Sequence, residues 1–373
     1  MTKRIGSLGW LALAVAAVLG PGLLIPIHPE AAASQDMLRP GTAPAPRFPT
    51  VAFVGDGYGW VGGDGGILAT TDGGQTWRWH DTVPGTVTAI QLLDRRTGWA
   101  VANGALLGTA DGGETWAALG APSVGPLTSV QFTTPTLGWG LAGGSPIISP
   151  SGAPLPLAGG TLVVTTDGGQ TWISHPGASP VQSICLEDPA LGWAAHGPRV
   201  QRTTDGGVTW STSFTAPLDT RIAWSATVRC AATGVAWVMF VGSDAAMGHV
   251  PYVLYRTLDG ETWAPIFSGR YLSGWYPSVE APDGPGSRPG PFSVLDSRSA
   301  FVLGAAPAPW TTIAVTGDGG TTWRSERIPD QPADEPFALA FVDADRGWVA
   351  GARDGHMVLL ATMDGGRTWS SQL

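Results

Sequence analysis

A short phrase centred on one aspartate occurs seven times along the chain and is the first candidate for chemistry. The copy TTDGGQTW spans Thr70 to Trp77 and returns unchanged from Thr165 to Trp172, and one copy, TLDGETW, lacks a residue. A repeated carboxylate suggests calcium, but a calcium loop needs several more oxygen ligands at fixed spacing, and the phrase has none. We therefore predict that each aspartate accepts hydrogen bonds within a tight turn whose glycines adopt positive φ. The predicted structural positions are Asp72, Trp77, Asp111, Trp116, Asp167, Trp172, Asp205, Trp210, Asp259, Trp263, Asp318, Trp323, Asp364 and Trp369.

A second marker precedes every copy of the phrase: a hydrophobic residue followed seven positions later by an aromatic one. The pairs are Phe53/Trp60, Leu92/Trp99, Phe132/Trp139, Leu186/Trp193, Cys230/Trp237, Val294/Phe301 and Phe341/Trp348. Between the markers, alternating hydrophobic residues indicate strands, and Asn103-Gly104 indicates a hairpin. Four strands in each of seven units predict an all-β fold, a single seven-bladed β-propeller of four-stranded blades. The aspartate phrase then forms the turn between strands three and four.

The ends of the repeat predict how the ring closes. The first predicted strand begins near Val51, and the chain ends just beyond Trp369. We expect each blade to consist of its own four strands, with no strand borrowed across the closure. We also expect the tryptophan of each phrase to pack between blades, and Trp369 to lie at the seam.

The N-terminal region precedes the repeat and has a different composition. Residues 1–33 combine a basic start, an apolar run and a small-residue end, which is typical of a signal peptide or a membrane anchor. Cleavage after Ala33 and an uncleaved anchor both stay open. Residues 34–49 are a Pro-rich spacer, and residues 50–373 form the propeller. Either alternative predicts an extracytoplasmic protein, secreted or anchored on the outer side of the cytoplasmic membrane.

Charge and residue types exclude several classes of function. The formal net charge is −9 and there is no basic run, so nucleic-acid binding is not expected. None of the six histidines pairs with another at metal-ligand spacing, and we predict no metal and no cofactor. The two cysteines, Cys185 and Cys230, fall in neighbouring units. They are either a disulfide or two separately buried thiols.

Loop lengths indicate which face of the propeller could bind a ligand. The turns between strands one and two, and between strands three and four, keep nearly constant lengths, whereas the connections at the other face vary. Loops of variable length on a rigid scaffold often carry binding sites. The candidate contacts there are Tyr252, Arg270, Tyr271, Trp275, Tyr276, Trp310 and Arg353. The alternative is that these aromatic residues form a small core beneath their own loop.

The phrase Thr-x-Asp-Gly-Gly-x-Thr-Trp resembles the Asp-box (BNR) repeat. The longer pattern LAFVDADRGWVAG, followed by TMDGGRTW, is similar to the photosystem II stability/assembly factor family of the thylakoid lumen. The resemblance implies a seven-bladed propeller with a non-catalytic role, which binds a membrane-protein precursor through an arginine-rich patch. Candidates for a similar patch are Arg95, Arg96, Arg298 and Arg346. The alternative is that these are scattered, solvated arginines.

Asp-box propellers also include glycoside hydrolases, which need two suitably placed carboxylates. Carboxylates that could reach the variable face are Asp64, Asp244, Glu280, Asp283 and Asp354. The sialidase motif Arg-Ile-Pro occurs only at Arg327 to Pro329, between the sixth and seventh boxes, whereas in sialidases it precedes the first. We therefore expect an exported, monomeric, non-catalytic platform for a protein or a membrane-protein segment at the cell envelope. The alternative is a secreted glycoside hydrolase, sialidase-like or polysaccharide-degrading, with a glycan as ligand.

Overall fold

A computed structural model describes residues 50–372, except residues 56, 81–82, 84, 145–158, 179, 233, 244–248, 270–280, 285, 306–310, 329–334 and 354–355. The predicted N-terminal segment and spacer lie outside these residues. The described chain forms seven antiparallel sheets of four strands each, and every sheet takes four consecutive strands. The predicted seven-bladed propeller is confirmed, and so is the expectation that no strand is shared between blades.

The first three blades comprise twelve strands. They are β1 (Thr50–Val54), β2 (Tyr58–Gly63), β3 (Gly66–Thr70) and β4 (Arg78–His80); β5 (Val87–Leu92), β6 (Gly98–Ala102), β7 (Ala105–Thr109) and β8 (Ala117–Ala118); and β9 (Leu127–Phe132), β10 (Gly138–Ala142), β11 (Thr161–Thr165) and β12 (Ile173–Ser174). A 3-10 turn at Pro176–Ala178 leads to the fourth blade.

The remaining four blades follow the same pattern. They are β13 (Ser183–Leu186), β14 (Gly192–His196), β15 (Arg199–Thr203) and β16 (Ser211–Thr215); β17 (Trp224–Ala232), β18 (Val235–Gly242), β19 (Tyr252–Thr257) and β20 (Trp263–Ser268); β21 (Arg288–Val294), β22 (Ala300–Ala305), β23 (Thr311–Thr316) and β24 (Arg324–Arg327); and β25 (Glu335–Phe341), β26 (Gly347–Arg353), β27 (His356–Thr362) and β28 (Ser370–Ser371). None of the described helical segments is long and apolar enough to cross a membrane.

The first strand of each blade lies beside the first strand of the next, and β25 returns to β1. These seven strands therefore surround the propeller axis, while the fourth strands lie at the rim. The predicted hairpin is present at Asn103 (φ 51°) and Gly104 (φ 80°), as a two-residue turn with both residues at positive φ requires.

The hydrophobic core consists of seven clusters, one at each interface between described blades. In each cluster, the marker aromatic of one blade lies beneath the box tryptophan of the next. Trp139, for example, is 0% exposed and its ring centroid lies 5.4 Å from that of Trp210. The predicted packing of the box tryptophans between blades is thus present in the structure.

The expectation for Trp369 was wrong in its location. This residue packs against Phe301 and Ile313 of the sixth blade, at the interface between blades six and seven. The box tryptophan at the seam between blades seven and one is Trp77, which packs with Trp348. The reason is geometric, because each box tryptophan contacts the preceding blade and the blade preceding the first is the seventh.

Candidate functional site

The box aspartates are held by hydrogen bonds inside their own turns. In the second blade, Asp111 Oδ1 accepts from the Thr109 hydroxyl at 2.8 Å and from the Thr115 N–H at 3.0 Å, while Oδ2 accepts from the Thr115 hydroxyl at 2.6 Å. The Thr109 hydroxyl also accepts the N–H of Gly113 at 3.0 Å. The same hydrogen bonds recur in the other full-length boxes, so both oxygens of each carboxylate accept hydrogen bonds from within the same eight residues.

These hydrogen bonds displace the titration of the carboxylates. The Thr115 hydroxyl, the Thr115 N–H and the Thr109 hydroxyl lower the pKa of Asp111 to about 2. The equivalent bonds lower the pKa of Asp167, Asp205, Asp318 and Asp364 to about 2 as well. Such an aspartate stays ionised in neutral solution and serves the turn, which leaves it unsuited to proton transfer.

The box turn and the turn between strands one and two lie at the same face of each blade. The N–H of the first box glycine donates to a carbonyl of that other turn, as from Gly112 to Arg96 and from Gly319 to Arg298, both at 2.8 Å. We call this surface the box face. It carries the candidate arginines from the sequence, because those arginines lie in the turns between strands one and two.

The four candidate arginines differ in what they contact. Arg95 and Arg298 are exposed, and no side-chain partner of either is found in the described part of the chain. Arg96 donates from Nε to the Ala110 carbonyl at 3.3 Å, and Arg346 forms an ion pair with Asp343 at 2.7 Å. Blade one separates the arginines of blade two from those of blades six and seven, so the structure does not bring the four into one cluster.

Four other arginines on this face reach from one blade to the box of the next. Arg78 pairs with Glu114 at 2.7 Å, and Arg324 donates to the Gly365 carbonyl at 2.6 Å. Arg256 donates to the Gly319 carbonyl at 2.5 Å while lying 5.2 Å above the Trp237 ring. Arg202 lies 5.3 Å above the Trp193 ring of its own blade and beside Gly260 in the box of blade five. Our sequence reasoning missed these residues. A signal exists, since each arginine immediately precedes the first box threonine or follows the box tryptophan.

A second set of contacts between blades surrounds the axis. The residue that pairs with each marker aromatic lies on the first strand of its blade, beside the first strand of the next blade; we call these seven residues inner links. Gln91 accepts the Phe132 N–H and donates to the Phe132 carbonyl at 2.7 Å. Gln131 accepts the Leu186 N–H and donates to the Leu186 carbonyl. The inner links in order are Ala52, Gln91, Gln131, Cys185, Arg229, Ser293 and Ala340.

One of the two cysteines is an inner link, and the other is its partner in the next blade. Cys185 is the inner link of blade four, and it is bonded to Cys230 of blade five in a disulfide. The Cys230 N–H lies 2.8 Å from the Cys185 sulfur, where the glutamine oxygens of the earlier blades lie. Of the two alternatives that the sequence left open, the structure contains the bonded one.

The candidate contacts on the variable face fall mostly outside the described residues. Arg270, Tyr271, Trp275, Tyr276 and Trp310 are among these, together with Asp244, Glu280 and Asp354. Arg353 ends β26, opposite His356.

Tyr252 lies within the described residues, and the structure does not place it as the exposed ligand contact that the sequence predicted. Its side chain is 3% exposed, its hydroxyl donates to the Gly286 carbonyl at 2.7 Å, and its ring packs on Phe267. Burial raises the pKa of this phenol above its ordinary value. Tyr252 therefore packs inside blade five and does not present its ring to a ligand.

The two described carboxylates of the variable face, Asp64 and Asp283, lie in different blades. Asp64 accepts a hydrogen bond from the Thr86 hydroxyl at 2.5 Å, which links blades one and two. Asp283 lies beside Ser268 in blade five. No group of three or more metal-ligating side chains is found among the described residues.

Comparison with known proteins finds one matching family model. The family model described as photosynthesis system II assembly factor YCF48 matches residues 36–136. No curated protein sequence gives a significant match.

Similar solved structures include YCF48 proteins and GH74 enzymes. YCF48 bound to D1 peptide is 16% identical with a TM-score of 0.57, and the match covers 86% of this chain and 94% of that one. YCF48 from Cyanidioschyzon merolae is 18% identical with a TM-score of 0.53, covering 87% and 97%. The GH74 xyloglucanase from Xanthomonas campestris is 14% identical with a TM-score of 0.58, covering 90% of this chain and 55% of the enzyme. At these identities the likeness concerns the fold, and this chain spans about half of the xyloglucanase.

Proposed function

We propose that this chain, an Asp-box propeller that resembles the photosystem II assembly factor YCF48, is a non-catalytic platform that binds a segment of another protein. The observation that carries the proposal is the structural match to YCF48 bound to D1 peptide, which extends over nearly the whole of both chains. The xyloglucanase match, by contrast, leaves almost half of the enzyme without a counterpart. The partner of this chain is then a polypeptide segment, for which the D1 peptide is the available probe.

The box face supports this proposal through its exposed arginines. Arg95 and Arg298 present guanidinium groups that have no side-chain partner among the described residues. An arginine of this kind can donate two parallel hydrogen bonds to a carboxylate of a bound segment. The surrounding turns also carry acidic residues such as Asp94 and Asp345, so the face offers a mixed pattern of charge.

We also propose that the propeller acts outside the cytoplasm. The export-like segment at residues 1–33 supports this location. The disulfide between Cys185 and Cys230 supports it independently, because disulfides persist in oxidising compartments.

The hydrolase alternative finds less support in the described carboxylates. A general acid for glycoside hydrolysis needs a raised pKa. Each described carboxyl group with a displaced pKa is displaced downward, by hydrogen bonds within its turn, as in Asp94 and Asp219. A carboxylate stabilised in its ionised form is the wrong group to protonate a leaving oxygen.

The test measures peptide binding and hydrolysis on one preparation of the full chain. Fluorescence anisotropy follows a labelled D1 peptide, and reducing-sugar release follows xyloglucan. We expect saturable peptide binding without xyloglucan hydrolysis. The double variant Arg95→Ser/Arg96→Ser should weaken binding about three- to tenfold, the loss expected for one or two exposed charged contacts.

Arg199→Ser is the matched control, because Arg199 is also exposed but lies at the opposite end of its blade, in the β14–β15 hairpin. Its binding should equal that of the unmodified chain. The absence of saturable peptide binding would contradict the proposal, and xyloglucan hydrolysis would instead favour the alternative.

A further inference from the structure

Arg229 is the charged member of the seven inner links, and its charge points to a binding site. Blade five carries Arg229 at the position that glutamine occupies in blades two and three. The glutamines supply both an acceptor and a donor to the next blade. An arginine supplies donors alone, since its guanidinium has no acceptor atom.

The N–H of blade six that corresponds to the Phe132 N–H of blade three belongs to Val294. Leu295 donates its N–H to Ser299 across the sheet at 3.0 Å, just as Thr133 donates to Leu137 in blade three at 3.1 Å. Because hydrogen bonds alternate along an antiparallel strand, the preceding residue turns its N–H away from its partner strand. In blade three that residue is Phe132, and Gln91 accepts its N–H. Val294 is the corresponding residue of blade six, and Arg229 has no acceptor atom to offer its N–H.

The described residues give the guanidinium no counter-charge. Arg229 Nη1 donates to the Val228 carbonyl at 3.1 Å, and its central carbon lies 5.6 Å from the centroid of the Phe292 ring. No carboxylate is paired with Arg229 in the described part of the chain. Arg229 is exposed to solvent on β17, one of the strands that surround the axis. The blades around it still remove part of the water from the guanidinium, and this desolvation lowers its pKa. A cation in the confined space along the axis, facing a second donor, attracts an anion.

We propose that the axial end of the interface between blades five and six binds an anionic oxygen group, a carboxylate or a phosphoryl group. The Arg229 guanidinium and the Val294 N–H are the donors. The Phe292 ring holds the guanidinium from one side, so that its outer edge remains available to the anion. The bound oxygen takes the place that the glutamine oxygen has in blades two and three. This site lies on the axis and is separate from the box-face arginines.

The test uses two small anions whose methyl protons can be observed, acetate for the carboxylate and methylphosphonate for the phosphoryl group. Saturation-transfer NMR on the full chain, at constant ionic strength, measures transfer to each methyl group as its concentration rises. We expect saturable transfer to at least one of them, and the anion with the lower dissociation constant identifies the chemical class.

The decisive variant is Arg229→Gln, which installs the inner link of blades two and three and should therefore fold. We expect the dissociation constant to rise about tenfold or more, or saturation to be lost, which corresponds to one charge-assisted contact. Arg229→Lys should retain binding and Arg199→Gln should leave it unchanged. If Arg229→Gln fails to fold by near-UV circular dichroism, Arg229→Met replaces it. Equal saturable transfer in the unmodified chain and the uncharged variant would overturn the proposal, as would its absence for both anions.

Discussion

The outer box turns and the inner links differ in where their polar side chains find partners. The box residues bond within one turn, and the inner links face the next blade. Each full-length box repeats one hydrogen-bond set, in which the aspartate, two threonines and a glycine belong to the same turn. The inner links contain amide, disulfide, guanidinium, hydroxyl and methyl groups at equivalent positions. The turns are nearly invariant, and the links are varied.

The difference follows from where the partners lie. A box aspartate must match donors that its own backbone fixes, so few residues fit. The partner of an inner link lies in the next blade, where an amide, a sulfur and a hydroxyl each accept an N–H, and the alanine links have no polar side-chain atom. The box residues thus repeat because their turn fixes their partners, whereas the inner links vary because their partners lie in the next blade.

The largest expected effect comes from a marker aromatic. Trp139→Ala removes a fully buried ring beneath Trp210, and we expect a loss of about 3–5 kcal/mol in the free energy of unfolding. Urea denaturation followed by tryptophan fluorescence measures it. Ile173→Ala, at a side chain that is 64% exposed, should change the value by less than about 0.5 kcal/mol. Equal losses in both variants would mean that the interface does not carry the stability.

The disulfide should have the next largest effect. Cys185→Ser combined with Cys230→Ala removes a covalent link between blades four and five, and we expect a loss of about 2–4 kcal/mol. Thermal unfolding with and without a reductant provides the check. The reductant should lower the melting temperature of the unmodified chain and leave that of the double variant unchanged; a reductant effect on both would locate its action elsewhere.

A glutamine link should matter less than the covalent one. Gln131→Leu leaves the Leu186 N–H and carbonyl without their partners, and an unsatisfied group of this kind costs about 1–3 kcal/mol. The exposed Gln75 serves as the control, because Gln75→Leu removes a single bond to the carbonyl of Asp72 at 3.3 Å. Chemical denaturation should separate the two variants, and identical curves would argue against the role assigned to the inner links.

The smallest effect is the pH dependence of a single box. The pKa of Asp111 is lowered from 3.8 to about 2 in the folded chain, so its ionised form is stabilised by folding. This contribution is complete above about pH 4 and is lost as the pH falls through 4 towards 2. In Asp111→Asn, unfolding measured between pH 5 and pH 2 should show a shallower decline than in the unmodified chain. A parallel decline would mean that this carboxylate does not contribute.

The sequence predicted those features that are repeated within a unit. The number of blades, the four strands of each blade and the position of the box followed from two markers at constant spacing. The inner links could not be predicted in this way. Gln91, Cys185 and Arg229 occupy equivalent positions in the fold, but their side chains have no chemical type in common. The seam was misassigned at Trp369 because the sequence does not show whether a box tryptophan contacts the preceding or the following blade. The candidate binding residues between 270 and 280 lie outside the described residues and stay predictions.

The most direct test of this account exchanges one link chemistry for another. The double variant Cys185→Gln/Cys230→Leu gives the interface between blades four and five the residue types found at Gln131 and Leu186. It is compared by urea denaturation with Cys185→Ala/Cys230→Leu, which offers the N–H of residue 230 no acceptor. If the inner links share one role, the glutamine variant should be more stable than the alanine variant by about 1–3 kcal/mol. Equal stability of the two would contradict the claim that this position serves the same function in every blade.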